Sequence, residues 1–414
     1  MHLLYNVLYG GLLVGAIPYL LYRSVREAGY AGSIRERLGF RGPRANDARS
    51  IWIHAVSVGE VVTAAVLLPR VKKAFPRDRI VCSVTTVTGR RVAEERLVDA
   101  DEVFYCPFDL SGLVRRVVRL TRPRALIVVE TEIWPNLLRE ARRGGARTML
   151  VNGRISDESF PRYRRLRWFL KRYLRNVDRF LMQSEIYAER IVTLGAPVER
   201  VSTLGSLKFD GTAATTAHVE IEPRRTVLMG GSTLEPEEAI LLSVFSRLRT
   251  ANPELLLALA PRHPARFGEV HELARSRGLE VVRRSSGEAV SSSTDVLLLD
   301  TLGELAALYA QADVVFVGGS LVNWGGHNII EPAEKGKPVL FGPHMENFPD
   351  VARLFLEADA AIQVRDEKDL EEHLGTLLKD PARCDELSRR ALGVIEANRG
   401  AAVKTIEELV KLLG

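Results

Sequence analysis

Cysteine is nearly missing from this chain. Its 414 residues include three, Cys82, Cys106 and Cys384. They lie far apart with no CxxC pair, which excludes a disulfide framework and a cysteine-based zinc site and fits a reducing compartment. Also absent are the glycine-rich phosphate loop ending in Gly-Lys-Ser/Thr, a GxGxxG run after the first strand and the HExxH zinc pair. Asp99-Ala100-Asp101 copies an Asp-x-Asp metal motif. It precedes a strand, where a metal-binding pair should follow one, and reads as loop charge. Magnesium chemistry therefore has no visible support, and neither a metal nor a cofactor is expected. No short repeat or low-complexity tract interrupts the chain.

What is present is an ordinary globular composition, 46% hydrophobic and 27% charged, long enough for two domains with separate cores. The 58 Lys and Arg exceed the 52 Asp and Glu, for a net charge of +6. That balance favours an anionic partner, whether nucleic acid, membrane surface or phosphorylated substrate. The first segment stands apart. From Leu3 to Tyr22 the only strongly polar residue is Asn6, and Arg23, Arg26, Arg35 and Arg37 follow. About 20 apolar residues suffice to span a bilayer, and basic residues after the run keep the main body on the cytoplasmic side. Residues 1–22 are expected to be a membrane-anchor helix. Gly10, Gly11 and Pro18 weaken it, so it could equally lie in the interface, and a buried N-terminal helix is the bland alternative.

Beyond it, strand-like apolar runs alternate with helix-period segments, the pattern of a doubly wound parallel sheet. One series comprises Ile51–Val56, Arg79–Val84, Val103–Tyr105, Ala125–Val129, Thr148–Asn152 and Arg179–Gln183. A second comprises Thr226–Met229, Leu255–Ala260, Leu279–Val282, Val296–Leu299, Val314–Val317, Pro338–Phe341 and Ala361–Val364. The expected architecture is α/β, with two Rossmann-like domains (23–210 and 226–395) facing a cleft. A Thr/Ala-rich linker (211–225) joins them, and a C-terminal helix (396–414) closes the chain.

Ligands of such sheets bind outside the carboxyl ends of the strands, so residues just after strands are the candidates. Glu60 closes His54-Ala-Val-Ser-Val-Gly-Glu60 and could act as a general base. The same Ser57-x-x-Glu60 is a capping box, in which the glutamate reaches back to the serine amide. Glu130 and Glu132 follow another strand, where acids also complement a helix dipole. Lys208, in Gly205-Ser-Leu-Lys-Phe-Asp210, could stabilise a phosphate as a point charge, or be a solvated surface lysine. Gly230, Gly231 and Ser232 form a candidate donor loop at a helix start. Arg262, after Pro261, could fork onto a phosphate. Leu302, Gly303 and Glu304 end one strand and Gly318-Gly319-Ser320 another. Asn328, Ile329, Ile330 and Glu331 start a helix, where the glutamate could hold a ribose diol or merely cap. Arg162 to Arg175 carries a basic face alternating with Tyr163, Leu166, Phe169, Leu170 and Tyr173, suited to lipid and anions or simply solvated.

Taken in order, His54–Glu60, Glu130-Thr-Glu-Ile-Trp-Pro135, Gly205–Asp210, Pro261-Arg-His-Pro264 and Gly318–Leu321 through Gly326–Pro332 closely resemble the 3-deoxy-D-manno-octulosonic acid (Kdo) transferases of lipopolysaccharide synthesis, over essentially the whole chain. The resemblance implies a GT-B glycosyltransferase on the cytoplasmic face of the inner membrane, moving Kdo from CMP-Kdo to the lipid A precursor lipid IVA with inversion and without metal. It implies Glu60 as catalytic base, Glu130 and Lys208 as transition-state stabilisers, and CMP contacts at Pro261, Arg262, Leu302, Gly303, Glu304 and Asn328 to Glu331. Anionic inner-membrane lipids are then expected partners and nucleic acid is not. A nucleotide-sugar 2-epimerase, which shares the two-domain plan, is the other enzyme reading. A non-catalytic binder of anionic lipid or nucleic acid is the reading from charge alone.

Overall fold

The computed structural model describes residues 2–27, 29–40, 42–45, 48–211, 217–222 and 225–414. The chain divides into two compact units, Met1–Gly211 with Arg399–Gly414, and Thr212–Asn398. Of the expected linker 211–225, residues 212–216 and 223–224 lie outside the described residues, as does residue 1 of the expected anchor.

In the first unit, strand β1 (Ser50–His54) is buried along its whole length. The unbroken Ile51-Trp52-Ile53 run demands this, because a parallel sheet is covered on both faces. The remaining strands are β2 (Arg79–Val84), β3 (Glu102–Tyr105), β4 (Pro123–Val129), β5 (Arg147–Gly153), β6 (Arg179–Met182) and β7 (Val201–Thr203). Their order is β3-β2-β1-β4-β5-β6-β7, every pair parallel. The direction of winding reverses between β1 and β4, so the ends of these two strands flank the crevice where ligands of such sheets bind. One face packs Trp52, Phe104, Leu126 and Phe180 against helices. The other packs Ile51, Ile53, Leu67 and Ile127.

The second unit repeats the plan with β8 (Thr226–Thr233), β9 (Leu255–Pro261), β10 (Val281–Arg283), β11 (Val296–Leu298), β12 (Val314–Val317), β13 (Val339–Phe341) and β14 (Ile362–Gln363). The order is β10-β11-β9-β8-β12-β13-β14, again parallel. Here the winding reverses between β8 and β12. Residues 217–222 of the expected linker belong to this unit: Val219 exchanges hydrogen bonds with the Gln311 side chain and Ile221 bridges to Val290.

Two segments differ from the sequence expectation. The C-terminal stretch is broken at Gly400 (φ 97°), and its last helix, Ala401–Leu413, packs into the first unit through Ala401, Ala402 and Leu409. The Asp210 carboxylate fixes its start, accepting the N–H groups of Gly400 and Ala402, each at 2.7 Å. At the N-terminus, two helices, His2–Gly15 and Ile17–Arg26, meet at 49°. Pro18 sits in the first turn of the second helix, where its missing N–H and ring cannot continue the helix before it. Among the described residues no single helix is long and apolar enough to cross a membrane, although the bent pair is so by length and composition. One side of the first helix docks: Tyr5 Oη donates to Asp109 at 2.8 Å and Asn6 accepts the Ser111 N–H at 2.9 Å. Leu4, Val7, Leu8, Leu12, Ile17 and Leu21 face outward.

Candidate active site at the sheet edges

The edge of the first sheet is assembled from four strand ends. After β1, Ser57 takes an extended conformation (φ −124°, ψ 179°) and caps the helix Val58–Ala74. The capping box is complete, with the Glu60 Oε2 accepting both the N–H and the hydroxyl of Ser57, the latter at 2.5 Å. Glu60 is 8% exposed. Its second oxygen makes no hydrogen bond among the described residues, so the cap leaves half of the carboxylate available.

Beneath it His54 is fully buried, its Nδ1 2.8 Å from Ser83 Oγ. Trp52 Nε1–H donates to that same oxygen at 2.7 Å. Ser83 Oγ thus meets both rings, while the His54 Nε2 has no hydrogen-bond partner among the described residues. Burial pushes the His54 pKa down to about 4, so the ring is neutral near pH 7. It stands edge-on to Trp134, 88° between planes.

After β4 the backbone turns left-handed at Glu130, φ 61°, a conformation uncommon for a non-glycine residue and frequent at functional sites. Burial raises the Glu130 pKa and the Glu60 charge adds to this, while Lys208 and Arg154 oppose it. Glu132 is held by the Trp134 indole, whose Nε1–H donates to Oε2 at 2.8 Å. Burial first, then the charges of Glu60 and Glu130, push its pKa up to about 7 against that hydrogen bond. Lys208 lies on the single turn Leu207–Asp210 after β7, capped by Ser206. Two other sequence candidates, Glu60 and Lys208, thus lie close enough for their charges to act on Glu130. Arg154 joins them and was not singled out from sequence, its only signal being an arginine directly after an apolar strand ending Asn-Gly.

In the second unit, Gly230, Gly231 and Ser232 lie inside β8, which runs on to Thr233 rather than ending at Met229. A Cβ on Gly231 would stand 2.1 Å from Tyr309 Oη, and one on Gly230 2.7 Å from Leu241. Packing of these buried side chains accounts for both glycines without a ligand. Ser232 at the strand end is left-handed, φ 56°. Gly318 after β12 allows backbone to approach backbone, since its Cβ would meet Thr233 Cα at 2.6 Å. A residue missed from sequence organises this edge. Glu237, fully buried, accepts the N–H groups of Leu234, Gly319, Ser320 and Leu321 at 2.7–3.0 Å.

Pro261 ends β9, and the Arg262 N–H donates to the Thr233 carbonyl at 2.9 Å. The next loop, after β11, carries exposed Leu302, Gly303 at φ 85° and Glu304. Glu304 is held by Arg284 and by the Thr301 hydroxyl, and the Arg284 bond is the first cause of its lowered pKa. Before the short helix Ile330–Glu334, the Asn328 Oδ1 accepts the Ile330 N–H and its Nδ2 donates to Glu331, each at 3.1 Å. Ile329 and Ile330 are core side chains, so only their backbone could meet a ligand. Burial, then the Arg262 and His263 charges, push the pKa of His327 down to about 4. Because β11, β9, β8 and β12 are neighbours, the Leu302, Arg262 and Gly318 loops share one sheet edge.

Two parallel seven-stranded sheets with covering helices define a GT-B type of fold. The solved UDP-GlcNAc 2-epimerase of Neisseria meningitidis has this fold at a TM-score of 0.59 and 12% identity, covering 87% of this chain and 100% of that one. The Anabaena HepE structure with UDP has it at 0.57 and 13%, over 87% and 99%. Residues 32–211 match the family model for 3-deoxy-D-manno-octulosonic-acid transferase (kdotransferase). The transferase of that name from Haemophilus influenzae is 32% identical over 98% of this chain and 98% of its own. That from Bordetella pertussis is 36% identical over 95% of each. The chain belongs to the 3-deoxy-D-manno-octulosonic acid transferase family and is a glycosyltransferase of lipopolysaccharide biosynthesis.

The Glu132 environment makes a pH prediction. A carboxyl whose folded pKa is raised above its unfolded value contributes least once it must ionise, so stability falls as pH rises from about 4.5 toward 7 and stays low above. Glu132→Gln cannot ionise, so its melting temperature should gain on the wild type between pH 5 and pH 8. A constant gap across that range would contradict the assignment.

Proposed function

We propose that the enzyme transfers Kdo from CMP-Kdo to lipid IVA with inversion, without a metal, and with Glu60 as general base. The carrying observation is the Glu60 carboxylate: one oxygen fixed by its cap, the other unengaged, at the reversal point of the first sheet. In this reading the unengaged oxygen takes the proton of the acceptor hydroxyl as that hydroxyl attacks the anomeric carbon. The bond from that carbon to the CMP phosphate breaks with its electron pair on the phosphate oxygen. Inversion follows from attack opposite the leaving group. Lys208 lies beside the carboxylates, where it would offset charge as the bond changes. Glu130 would keep that lysine in place. Arg262 and the Asn328–Glu331 helix start would meet the nucleotide, with Glu331 accepting from ribose hydroxyls.

The exposed apolar side of the bent N-terminal helices supports attachment to the cytoplasmic face of the inner membrane. On the docked side of the first helix Tyr5 packs 5.7 Å from Phe169, which brings the Arg162–Arg175 segment against that helix. There Trp168 is 65% exposed among arginines. An apolar strip edged by cations suits a helix pair lying in the interface of an anionic bilayer.

Glu60→Gln separates base from cap, because glutamine also closes a capping box. The variant should remain folded and bind CMP, yet lose turnover by roughly 10²–10⁴-fold, read by mass spectrometry of the lipid product. Near-normal turnover would remove Glu60 from the base role. Turnover should survive EDTA; a loss that magnesium restores would refute the metal-free mechanism. Deleting residues 2–22 should move the protein from the membrane pellet to the supernatant, and continued sedimentation would count against attachment through these helices.

A further inference from the structure

Asn152 connects the two halves of the carboxylate–lysine cluster. In the parallel register Val129 faces Val151, which brings Glu130 and Asn152 side by side at the ends of β4 and β5. The Glu130 N–H donates to the Val151 carbonyl at 2.8 Å. Both residues are left-handed, φ 61° and φ 56°. The Asn152 Oδ1 then accepts the N–H of Leu207, the residue before Lys208, at 3.0 Å. Its own carbonyl accepts from Gln183 Nε2 at 2.9 Å. A continuous path thus runs from Glu130 across the strand pair to Asn152 and into the turn that carries Lys208.

Asn152 is costly where it stands. It is 2% exposed, and its Nδ2 has no hydrogen-bond partner. A buried, unpaired amide nitrogen is destabilising, and a left-handed non-glycine residue adds strain. Packing alone would be better served by glycine, which takes φ > 0 freely and leaves no nitrogen unpaired. What glycine lacks is the accepting oxygen. Asparagine is among the few side chains that tolerate the left-handed region and supply one.

We infer that Asn152 is a positioning residue for the transfer reaction, its side-chain oxygen fixing the Leu207–Asp210 turn so that Lys208 stands opposite Glu130. The inference rests on the proposed role of Lys208. It differs from a purely structural role in that its effect passes through one other side chain.

The experiment is a double-mutant cycle on the full-length enzyme, with Asn152→Gly and Lys208→Ala alone and combined, measuring kcat and the KM for CMP-Kdo. Glycine keeps the left-handed backbone and removes the accepting oxygen together with the unpaired nitrogen. A displacement of about 1 Å can cost up to ~10²-fold, so Asn152→Gly should lower kcat about tenfold or more with the donor KM within about twofold. In the Lys208→Ala background it should lower kcat no further. Hydrogen exchange at the Leu207 amide should accelerate in Asn152→Gly. Unchanged kcat, unchanged exchange, or losses that multiply across the cycle would each overturn the inference. Lys208→Ala turning over like wild type would instead remove Lys208 from the proposed mechanism, a distinct failure. If Asn152→Gly does not fold, the cycle is run with Asn152→Ala, which likewise removes the accepting oxygen, and the same non-multiplying result is required.

Discussion

In each sheet the winding reverses once, and the two strands flanking the reversal send their connections to opposite faces. No crossover helix covers the place they leave, so side chains just beyond those strands keep access to solvent and to a ligand. In the first unit the strands are β1 and β4, and the residues beyond them include Glu60, Glu130 and Glu132. The Glu60 charge raises the proton affinity of both Glu130 and Glu132, and burial raises it more. Such an edge is tolerable because its members are tied down separately: Glu60 by a helix cap, Glu132 by an indole, and Glu130 by a backbone turn facing a lysine. The winding reversal comes first, and the chemistry is possible only where it has left an opening.

The second unit uses the corresponding opening differently. Where the first concentrates acids, β8 carries two glycines within it and two more follow β12, and a buried carboxylate gathers the backbone N–H groups beyond β12. Glu237 thereby makes a rigid edge from a run of residues that would otherwise have little to hold it. The same fold carries UDP-GlcNAc 2-epimerases at 12% identity, so sheet order alone does not choose a reaction. In the proposed mechanism the choice lies in side chains such as Glu60 and Lys208, and in this chain they stand on the 32–36% identical background of its transferase relatives.

Much of this could be read from the amino-acid order, and the failures have physical causes. Long buried strands announce themselves by unbroken apolar runs. Strand β7 does not, because Val201–Thr203 is three residues long and only partly buried. Strand β8 seemed to stop at Met229 because glycines resemble a loop when the side chains filling their space, Tyr309 and Leu241, lie far away in sequence. The Ser57–Glu60 spacing was ambiguous between cap and catalytic base. The structure shows the cap and leaves an oxygen over. Hydropathy registered the N-terminal apolar run but not its bend, which Pro18 imposes locally. The last helix displayed an amphipathic face without revealing that its partner would be the first unit. Asn152 gave no signal at all, since a single asparagine at the end of an apolar run looks like any strand terminator.

The return of Arg399–Gly414 to the first unit means that the polypeptide crosses from one unit to the other twice. A simple cut after Gly211 would remove Ala401, Ala402 and Leu409 from the core they share with the Val58–Ala74 helix and β5, and expose an apolar groove. Gly400, however, is hydrogen-bonded to Asp210, so the two crossing points are neighbours in space. Joining Gly211 to Arg399 through a few linker residues would therefore recreate the first unit as one uninterrupted gene product. The intervening stretch behaves topologically as an insert, bounded by two adjacent splice points, and modular exchange of one sheet for another would have to respect both.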